Sequence, residues 1–426
     1  MALTILLIML LMMLMGFPMM IPMLVATFVA FFAYFPNIKT DIMVQQMISG
    51  ISPVALITVP MFILAADIVT RGRTANRLLD LAMTFFGHIR GGLAVTAAVA
   101  CTLFGAISGS TQATVVAIGG PLRPRMLKAG YDDKFTTALI INASDIAFLI
   151  PPSIGMIVFG IVGKVSIAEL FLAGIGPGLL ILALFTVFSV WYAWKKDIPL
   201  LPRSSWGERL RAMRKAALAT FFPVLIVGGL YGGYFSPTEV AAIAVLYAFV
   251  LEVFIYRAVK LSDIPSIAYS TGLITGIVFI LVGTGAAFSW IISFAQIPQQ
   301  LIASLGLAEA GPYTILFAIS VAFFIGCMFV DPIVVTLIMT PIFMPLVHSA
   351  GIDPVLVGTI ITMQMAIGSC TPPFGCDIFT ACAIFRKPYL EVIRGTPPFI
   401  AILLFASLLL IFIPEIALTL PKLAYR

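Results

Sequence analysis

Charge is what this sequence has least of: 10% of its 426 residues are Asp, Glu, Lys or Arg, against about a quarter in a soluble domain. It is also poor in metal-binding and nucleophilic chemistry. Two histidines, His88 and His348, and five cysteines, Cys101, Cys327, Cys370, Cys376 and Cys382, supply no C-x-x-C spacing. That excludes the common zinc and redox motifs and leaves the cysteines as small apolar packing residues. No G-x-x-x-x-G-K-[ST] occurs, because Gly163-Lys164 lacks the earlier glycine, so ATP is not bound through a P-loop. Neither H-E-x-x-H nor G-x-S-x-G is present, which argues against a membrane protease or lipase. Neither an enzyme nor a cofactor is expected. The net charge of +6 sits mostly in short loops, as the positive-inside rule uses it, so no nucleic-acid partner is expected.

What the chain has instead is apolar length. Hydrophobic residues make up 61% and mean hydropathy is +1.15. Stretches long enough to cross a bilayer recur around 2–35, 54–70, 91–106, 136–163, 168–194, 217–235, 238–256, 267–290, 312–329, 355–384 and 395–414. They predict about ten to twelve membrane segments. All are helical, since the alternating pattern of a barrel strand is missing. The apolar N-terminus lacks a basic leader and an A-x-A-like site, and is read as mature structure.

The chain repeats itself at a shift of 221 residues. Gly105 falls on Gly326 and Pro124 on Pro345; Ala129-Gly130-Tyr131-Asp132 falls on Ala350-Gly351-Ile352-Asp353; Pro151-Pro152 falls on Pro372-Pro373; and Gly174 and Pro177 fall on Gly395 and Pro398. These residues fix turns and helix breaks, so the match reads as a duplicated fold unit, the usual build of secondary transporters. Loop 121–134 carries Arg123, Arg125, Lys128 and Lys134 while 342–355 carries no basic residue but His348; conversely 385–394 carries Arg386, Lys387 and Arg394 against Lys164 alone. Equivalent loops with opposite charge preference lie on opposite membrane faces, so the repeats are inverted. The linker 195–215, with Lys195, Lys196, Arg203, Arg209, Arg211, Arg214 and Lys215 against Asp197 and Glu208, is placed in the cytoplasm.

Each copy holds two irregular elements. One is a re-entrant hairpin, 105–128 and 326–349: the apolar piece after Gly105 is closed by Gly119-Gly120-Pro121, its partner runs from Val330-Asp331-Pro332 to Pro341 and Pro345, and about fifteen helical residues reach only some 22 Å. The other is a broken helix, 136–163 and 355–384, interrupted by Pro151-Pro152 and Pro372-Pro373. A Pro-Pro pair withholds two backbone donors, and such backbone survives in a bilayer only where it lines a cavity or binds something. Freed carbonyls with hydroxyls suit a small hard cation, and the N-terminus of the half-helix that follows suits an anionic group. Asp145, Asp331 and Asp377 lie deep in apolar sequence, where acids are costly and functional: ion ligation, a proton relay or pairing with a substrate cation are all open. Asp331 also reads as a hairpin-tip cap, and Asp132 and Asp353 as caps after a tight turn. Asp67, followed by Arg71, Arg73 and Arg77, is placed near a membrane surface. Helices 74–90 and 295–310 read as amphipathic and interfacial.

The motifs F-G-A-I-S-G-S-T at 104–111, A-G-Y-D at 129–132, I-P-P-S at 150–153, A-G-I-D-P at 350–354 and T-P-P-F-G at 371–375 resemble those of the large membrane subunit of tripartite ATP-independent periplasmic (TRAP) transporters. The resemblance covers essentially the whole chain. It implies an all-α polytopic protein of the ion-transporter-superfamily elevator type in the bacterial inner membrane, importing a small organic anion, such as a C4-dicarboxylate or sialic acid, with sodium as the coupling ion. Its implied partners are a small four-helix membrane subunit and a periplasmic binding protein. Carried onto matching positions, the first sodium site uses Ser108, Ser110, Asp145, Phe148 and Pro151, the second Gly326, Thr371 and Pro373, and Ser110, Thr111, Asn142 and Asp377 border the substrate. Small residues are usual in the family where Asp145 and Phe148 stand, and an amide is common where Asp377 stands.

The expected organisation is N-terminal scaffold helices and an arm over 1–90, first-repeat transport elements over 91–194, the linker 195–215, scaffold helices and a second arm over 216–310, and second-repeat elements with a C-terminal helix over 311–426. The alternative is a stand-alone divalent-anion/sodium symporter or antiporter of the same architecture. A proton-conducting respiratory subunit would require mid-membrane Lys or Glu, which is not evident.

Overall fold

The structure is a computed structural model and describes residues 1–18, 20–304 and 306–425. Every regular element among them is helical. The chain opens with α1 (Ala2–Leu14), α2 (Met20–Tyr34), α3 (Asp41–Ile51), α4 (Thr58–Arg71) and α5 (Thr74–Phe86). The first repeat follows as α6 (Gly92–Ser108), α7 (Thr111–Lys128), α8 (Asp133–Ser144), α9 (Ile154–Gly163) and α10 (Ile167–Lys195). Between the repeats lie α11 (Trp206–Tyr231), α12 (Pro237–Phe249) with a π-helical extension Val250–Ile255, α13 (Ile264–Phe294) and α14 (Ile297–Ser304). The second repeat runs through α15 (Pro312–Phe329), α16 (Pro332–Ser349), α17 (Pro354–Ser369), α18 (Cys376–Phe385), α19 (Tyr389–Ile393), α20 (Pro397–Phe412) and α21 (Glu415–Tyr425).

Seven helices among the described residues are long and apolar enough to cross a membrane, or eight if α20 and α21, bent by 53°, count as one span. The remainder of the ten to twelve expected segments are apolar helices of 10–17 residues, too short to cross alone. The sequence pattern counted them as crossings because hydropathy does not register where a helix breaks.

The duplication holds at the level of helix ends. The hairpin helices α7 and α16 begin and end 221 residues apart, at Thr111 and Pro332 and at Lys128 and Ser349, and α8 and α17 also start at that interval. After the Pro-Pro pairs the register slips by one: α9 and α18 start at Ile154 and Cys376 and end in left-handed caps at Lys164 and Arg386. The gapless shift is therefore local, and it is regained at Gly174 and Gly395.

The hairpins differ from expectation. The first does not begin at Gly105, because α6 runs unbroken from Gly92 to Ser108. Gly105 is instead a close-approach residue, since a Cβ there would lie 2.7 Å from the Ala147 Cβ. Nor do Gly119-Gly120-Pro121 or Pro341 and Pro345 close anything: α7 continues through Pro121 and Pro124, and α16 through both of its prolines. At 18 residues each, these helices reach about 27 Å.

With no water to expel, helices in a bilayer are held by close packing and small residues. Ala94, Ala97, Ala98, Cys101 and Gly105 give α6 a slim, buried surface against α8 and α10. Aromatic rings pack within the first repeat, where Phe135 of α8 stacks on Tyr192 of α10 at 3.6 Å between centroids, and join it to the second, where Phe399 of α20 packs edge-on against Phe185 and Phe188. The amphipathic α5 is present within 74–90, and α14 within 295–310.

Candidate functional site

Each repeat sets a hairpin tip against its own helix break. In the first, Gly109 takes a left-handed φ of 60°, and Ser110 caps α7 by accepting from the Ala113 N–H at 3.3 Å. A Cβ on Gly109 would sit 2.3 Å from the Pro152 carbonyl oxygen, so only glycine lets tip and break meet. Just behind, the Thr114 hydroxyl donates to the Ser110 carbonyl at 2.8 Å and lies 3.2 Å from Ser108 Oγ. In the second repeat Asp331 caps α16, accepting from the Ile333 N–H at 2.9 Å, and the Phe374 N–H donates to the Met328 carbonyl at 3.1 Å. Both Pro-Pro bonds are cis.

The two tips open onto one cavity of about 420 Å³, within the range of small-molecule sites. Its walls come from both hairpins and from α4 and α13, through Ala66, Asp67, Thr70, Ile274 and Val278. Four helix N-termini converge on it, since Thr111, Ile154, Pro332 and Cys376 are the first residues of α7, α9, α16 and α18 and all line it. At α7, α9 and α18 the first N–H groups and the helix dipole favour an anionic group there, whereas at α16 Pro332 has no N–H and the Ile333 N–H is taken by Asp331. Yet the side-chain charge has the opposite sign: Asp67 and Asp331 line the cavity, and among its lining residues there is no Lys, Arg or His. Such a space suits a solute with both a carboxylate and a cation.

Behind the Thr111 wall lies a second pair of acids. Asp377 Oδ1 accepts from the Thr111 hydroxyl at 2.8 Å, and Asp145 Oδ1 accepts from the Ser369 hydroxyl at 2.8 Å. Both side chains are fully buried. The Oδ2 atom of each finds no donor among the described residues.

Residues 6–416 match the family model described as the DctM component of the tripartite ATP-independent periplasmic transporter. This chain belongs to the TRAP large permease family. It is 66% identical over 387 residues to the ectoine/5-hydroxyectoine TRAP transporter large permease protein of Ruegeria pomeroyi, covering 91% of this chain and 90% of that one. It is 64% identical over 384 residues to the ectoine TRAP transporter large permease protein of Halomonas elongata, covering 90% of each. The C4-dicarboxylate TRAP transporter large permease protein of Pseudomonas aeruginosa is 37% identical over 370 residues, 86% of each chain. Among solved structures, the fold is similar to the YdaH transporter of Alcanivorax borkumensis, with a TM-score of 0.64, 16% identity and coverage of 89% and 88%. The protein is therefore a multi-pass inner-membrane transport component and not an enzyme.

In this permease the sequence-expected site residues divide. Ser108, Ser110, Thr111 and Phe148 line the cavity. Asp145 and Asp377 stand behind it, while Asn142 does not line it: its Nδ2 donates to the Ala138 carbonyl at 2.8 Å and its buried Oδ1 finds no donor among the described residues. Pro151 is buried in the break. As a test of fit to a sodium ion, the first set offers Ser108 Oγ and the orphaned Asp145 Oδ2, hard oxygens suited to it. In the second set each carbonyl already accepts one hydrogen bond, Gly326 from Val330 N–H, Thr371 from Gly375 N–H and Pro373 from the Tyr389 hydroxyl, and the Thr371 hydroxyl donates to Ile367. A carbonyl retains a second lone pair, so these can still ligate.

Other placements differ from the sequence reading. Asp67 lines the cavity and accepts from the Thr271 hydroxyl at 2.7 Å, a place in the site that the sequence reading did not give it. Asp353 caps α17 through the Val355 N–H, but Asp132 makes no such cap bond and accepts from Tyr192 and Lys196. Thr70, Gln112, Cys376 and Thr380 also line the cavity, and Ser369 holds Asp145. Ser369, Cys376 and Thr380 sit beside the second Pro-Pro break, which was the one signal for them.

Proposed function

We propose that this permease imports a small zwitterion of the ectoine type, delivered by a periplasmic binding protein and accepted together with a small membrane subunit. Ectoine carries one carboxylate and one delocalised amidinium. The observation that carries this reading is the acid-lined, base-free cavity onto which four helix N-termini converge. The N-termini of α7, α9 and α18 offer N–H groups to a carboxylate, and Asp67 and Asp331 offer charge to the amidinium. A C4-dicarboxylate would bring two negative charges against two more, so the organic anion expected from sequence narrows to one with a balancing cation. The names of the two ectoine-transporting relatives agree with this direction.

The coupling ion in this reading is sodium, held at the first break near Ser108 and Asp145 and at the second near Thr371 and Pro373. The movement is of the elevator kind, the paired hairpins and broken helices travelling against α4 and α13. The test is uptake into vesicles holding both membrane subunits, with the binding protein outside. Ectoine should accumulate with an inward sodium gradient, and excess succinate should not compete. Uptake that is equal in sodium-free buffer would overturn the coupling; uptake without any binding protein would favour a stand-alone carrier.

A further inference from the structure

A second site lies outside the cavity, at the start of α11 where the charged linker enters it. Arg209 is only 8% exposed, and its Nε and Nη2 find no acceptor among the described residues. The guanidinium is held between two rings, 5.6 Å from the Phe85 centroid and 5.1 Å from that of Trp206. Stacking on rings offsets part of the cost of burying a cation but satisfies none of its N–H donors.

Below Arg209 runs an apolar groove of about 530 Å³, walled by α5, α6 and α11. Along α11 its wall residues Met213, Ala217 and Val224 follow Arg209 at near-helical intervals, so the cation stands at the head of the stripe. Phe85 both lines the groove and carries the guanidinium. Met213 and Val224 are 51% and 60% exposed, so the groove is open at its side. Trp206, 75% exposed, marks the level at which aromatic side chains meet the lipid headgroups.

We propose that this groove binds one anionic phospholipid, an acyl chain along α11 and its phosphate drawn to the Arg209 guanidinium, whose unpaired Nε and Nη2 are covered in this structure and are reached when the exposed Trp206 ring turns aside. A guanidinium fork matches a phosphate bidentately, and the apolar wall matches a lipid tail. The surrounding charge agrees. Arg211, Arg214 and Lys215 follow on the same helix, while the two acids nearby are already engaged, Glu208 with Ser205 and Asp80 with Arg125. The lipid would lie in the seam between α5 and α11, with α6 at its floor.

To test this, full-length protein, alone and with its small subunit, is offered equimolar phosphatidylglycerol and phosphatidylcholine of matched chains, and bound lipid is counted by native mass spectrometry. The wild type should favour phosphatidylglycerol, and Arg209→Gln should lower that preference about fivefold, the worth of one cation at a membrane surface. Arg209→Lys, which keeps the charge, should retain part of the preference, and Ala217→Trp, which fills the groove while leaving Arg209, should lower total lipid bound. Equal retention of both lipids by the wild type, or no change in Arg209→Gln, would overturn the proposal. So would loss of the lipid when the small subunit is added, which would assign the face to that protein.

Discussion

The Thr111 hydroxyl donates a 2.8 Å hydrogen bond to Asp377, joining the hairpin of one repeat to the broken helix of the other across 266 residues of sequence. Ser369 and Asp145 make a second hydroxyl–carboxyl pair between the repeats, this one joining the two broken helices with the acid in the first repeat. The two inverted units are thus latched by hydroxyl–carboxyl pairs at the wall of the cavity. Asp377→Asn keeps an acceptor for Thr111 but removes the charge, so the protein should fold while ectoine uptake falls about tenfold or more, the worth of one charged hydrogen bond. Thr111→Val takes from the buried carboxyl the hydroxyl that donates to its Oδ1 and should lower stability by about 1–3 kcal/mol. Unchanged uptake in the first variant, with an unchanged melting curve in the second, would show the latch to be incidental.

A second inter-repeat contact is ionic. Asp133 of α8 meets Lys387 at 3.0 Å and Arg123 through its Nε at 2.9 Å. Burial alone would push the Asp133 carboxyl up, but hydrogen bonds from Lys387 and Arg123 outweigh it and hold it below the usual carboxylate range. A depressed folded value means the stabilisation is present above the unfolded value near 3.8 and is lost as pH falls through the folded one. Asp133→Asn should therefore cost up to about 1 kcal/mol at pH 7, allowing for solvent screening, and the gap from wild type should close below about pH 3 to 4. Melting curves in detergent across pH 7 to 3 measure it. A gap that stays constant over that range would remove the ionic explanation.

Glycines at equivalent repeat positions offer a packing test. A Cβ on Gly174 would lie 2.1 Å from the Leu149 carbonyl oxygen, and one on Gly395 would lie 2.2 Å from that of Lys134. Backbone cannot yield as a flexible side chain can, so Gly174→Ala and Gly395→Ala should each cost about 1–3 kcal/mol. Gly272, with nothing within 4 Å of its would-be Cβ, is the control, and Gly272→Ala should stay within about 0.5 kcal/mol of wild type. Thermal unfolding followed by size exclusion separates the three. Equal melting of Gly174→Ala and Gly272→Ala would contradict the close approach.

The repeat, the two breaks and the deep acids were legible in the sequence because Gly, Pro and Asp act locally, on turns, donors and charge. The start of the first hairpin was not. Gly105 inside uniformly apolar sequence looks like a break, but it is a place where Ala147 packs close. The one-residue slip after the second Pro-Pro pair was also hidden, because the Phe374 N–H bonds to Met328, a partner far away in sequence. The cavity role of Asp67 was hidden for a related reason. The arginines beyond it do lie at the surface, Arg71 bonding Ser266 and Ser270, but Asp67 itself, one helical turn earlier, lines the cavity. The sign of the cavity could not be read from the chain either, since Asp67 and Asp331 meet there only once α4 and the second hairpin are in place.

Glu252 supplies the last prediction. Its fully buried carboxylate accepts from the Arg73 N–H at 2.9 Å and the Thr74 N–H at 3.0 Å, and also from the Thr74 hydroxyl. It thereby caps α5 from the π-helical end of α12, a role the helix has no cap residue of its own to perform. Gly72 makes room for it, since a Cβ there would sit 2.0 Å from the Glu252 Cδ. Arg77 then lies 3.6 Å over the Tyr256 ring, one turn along each helix. The α5 arm links α4, which walls the cavity, to the first hairpin, so its anchoring sets how one moves relative to the other. Glu252→Ala strips three donors of their acceptor and should cost about 1–3 kcal/mol. Glu252→Gln keeps the shape and should cost less. In hydrogen–deuterium exchange the amides of Arg73 and Thr74 should open faster in both variants, more in the alanine form, while those of α13 stay unchanged. If exchange at the start of α5 matches wild type in Glu252→Ala, the carboxylate is not what holds the arm, and the packing of α5 on α11 must do so instead.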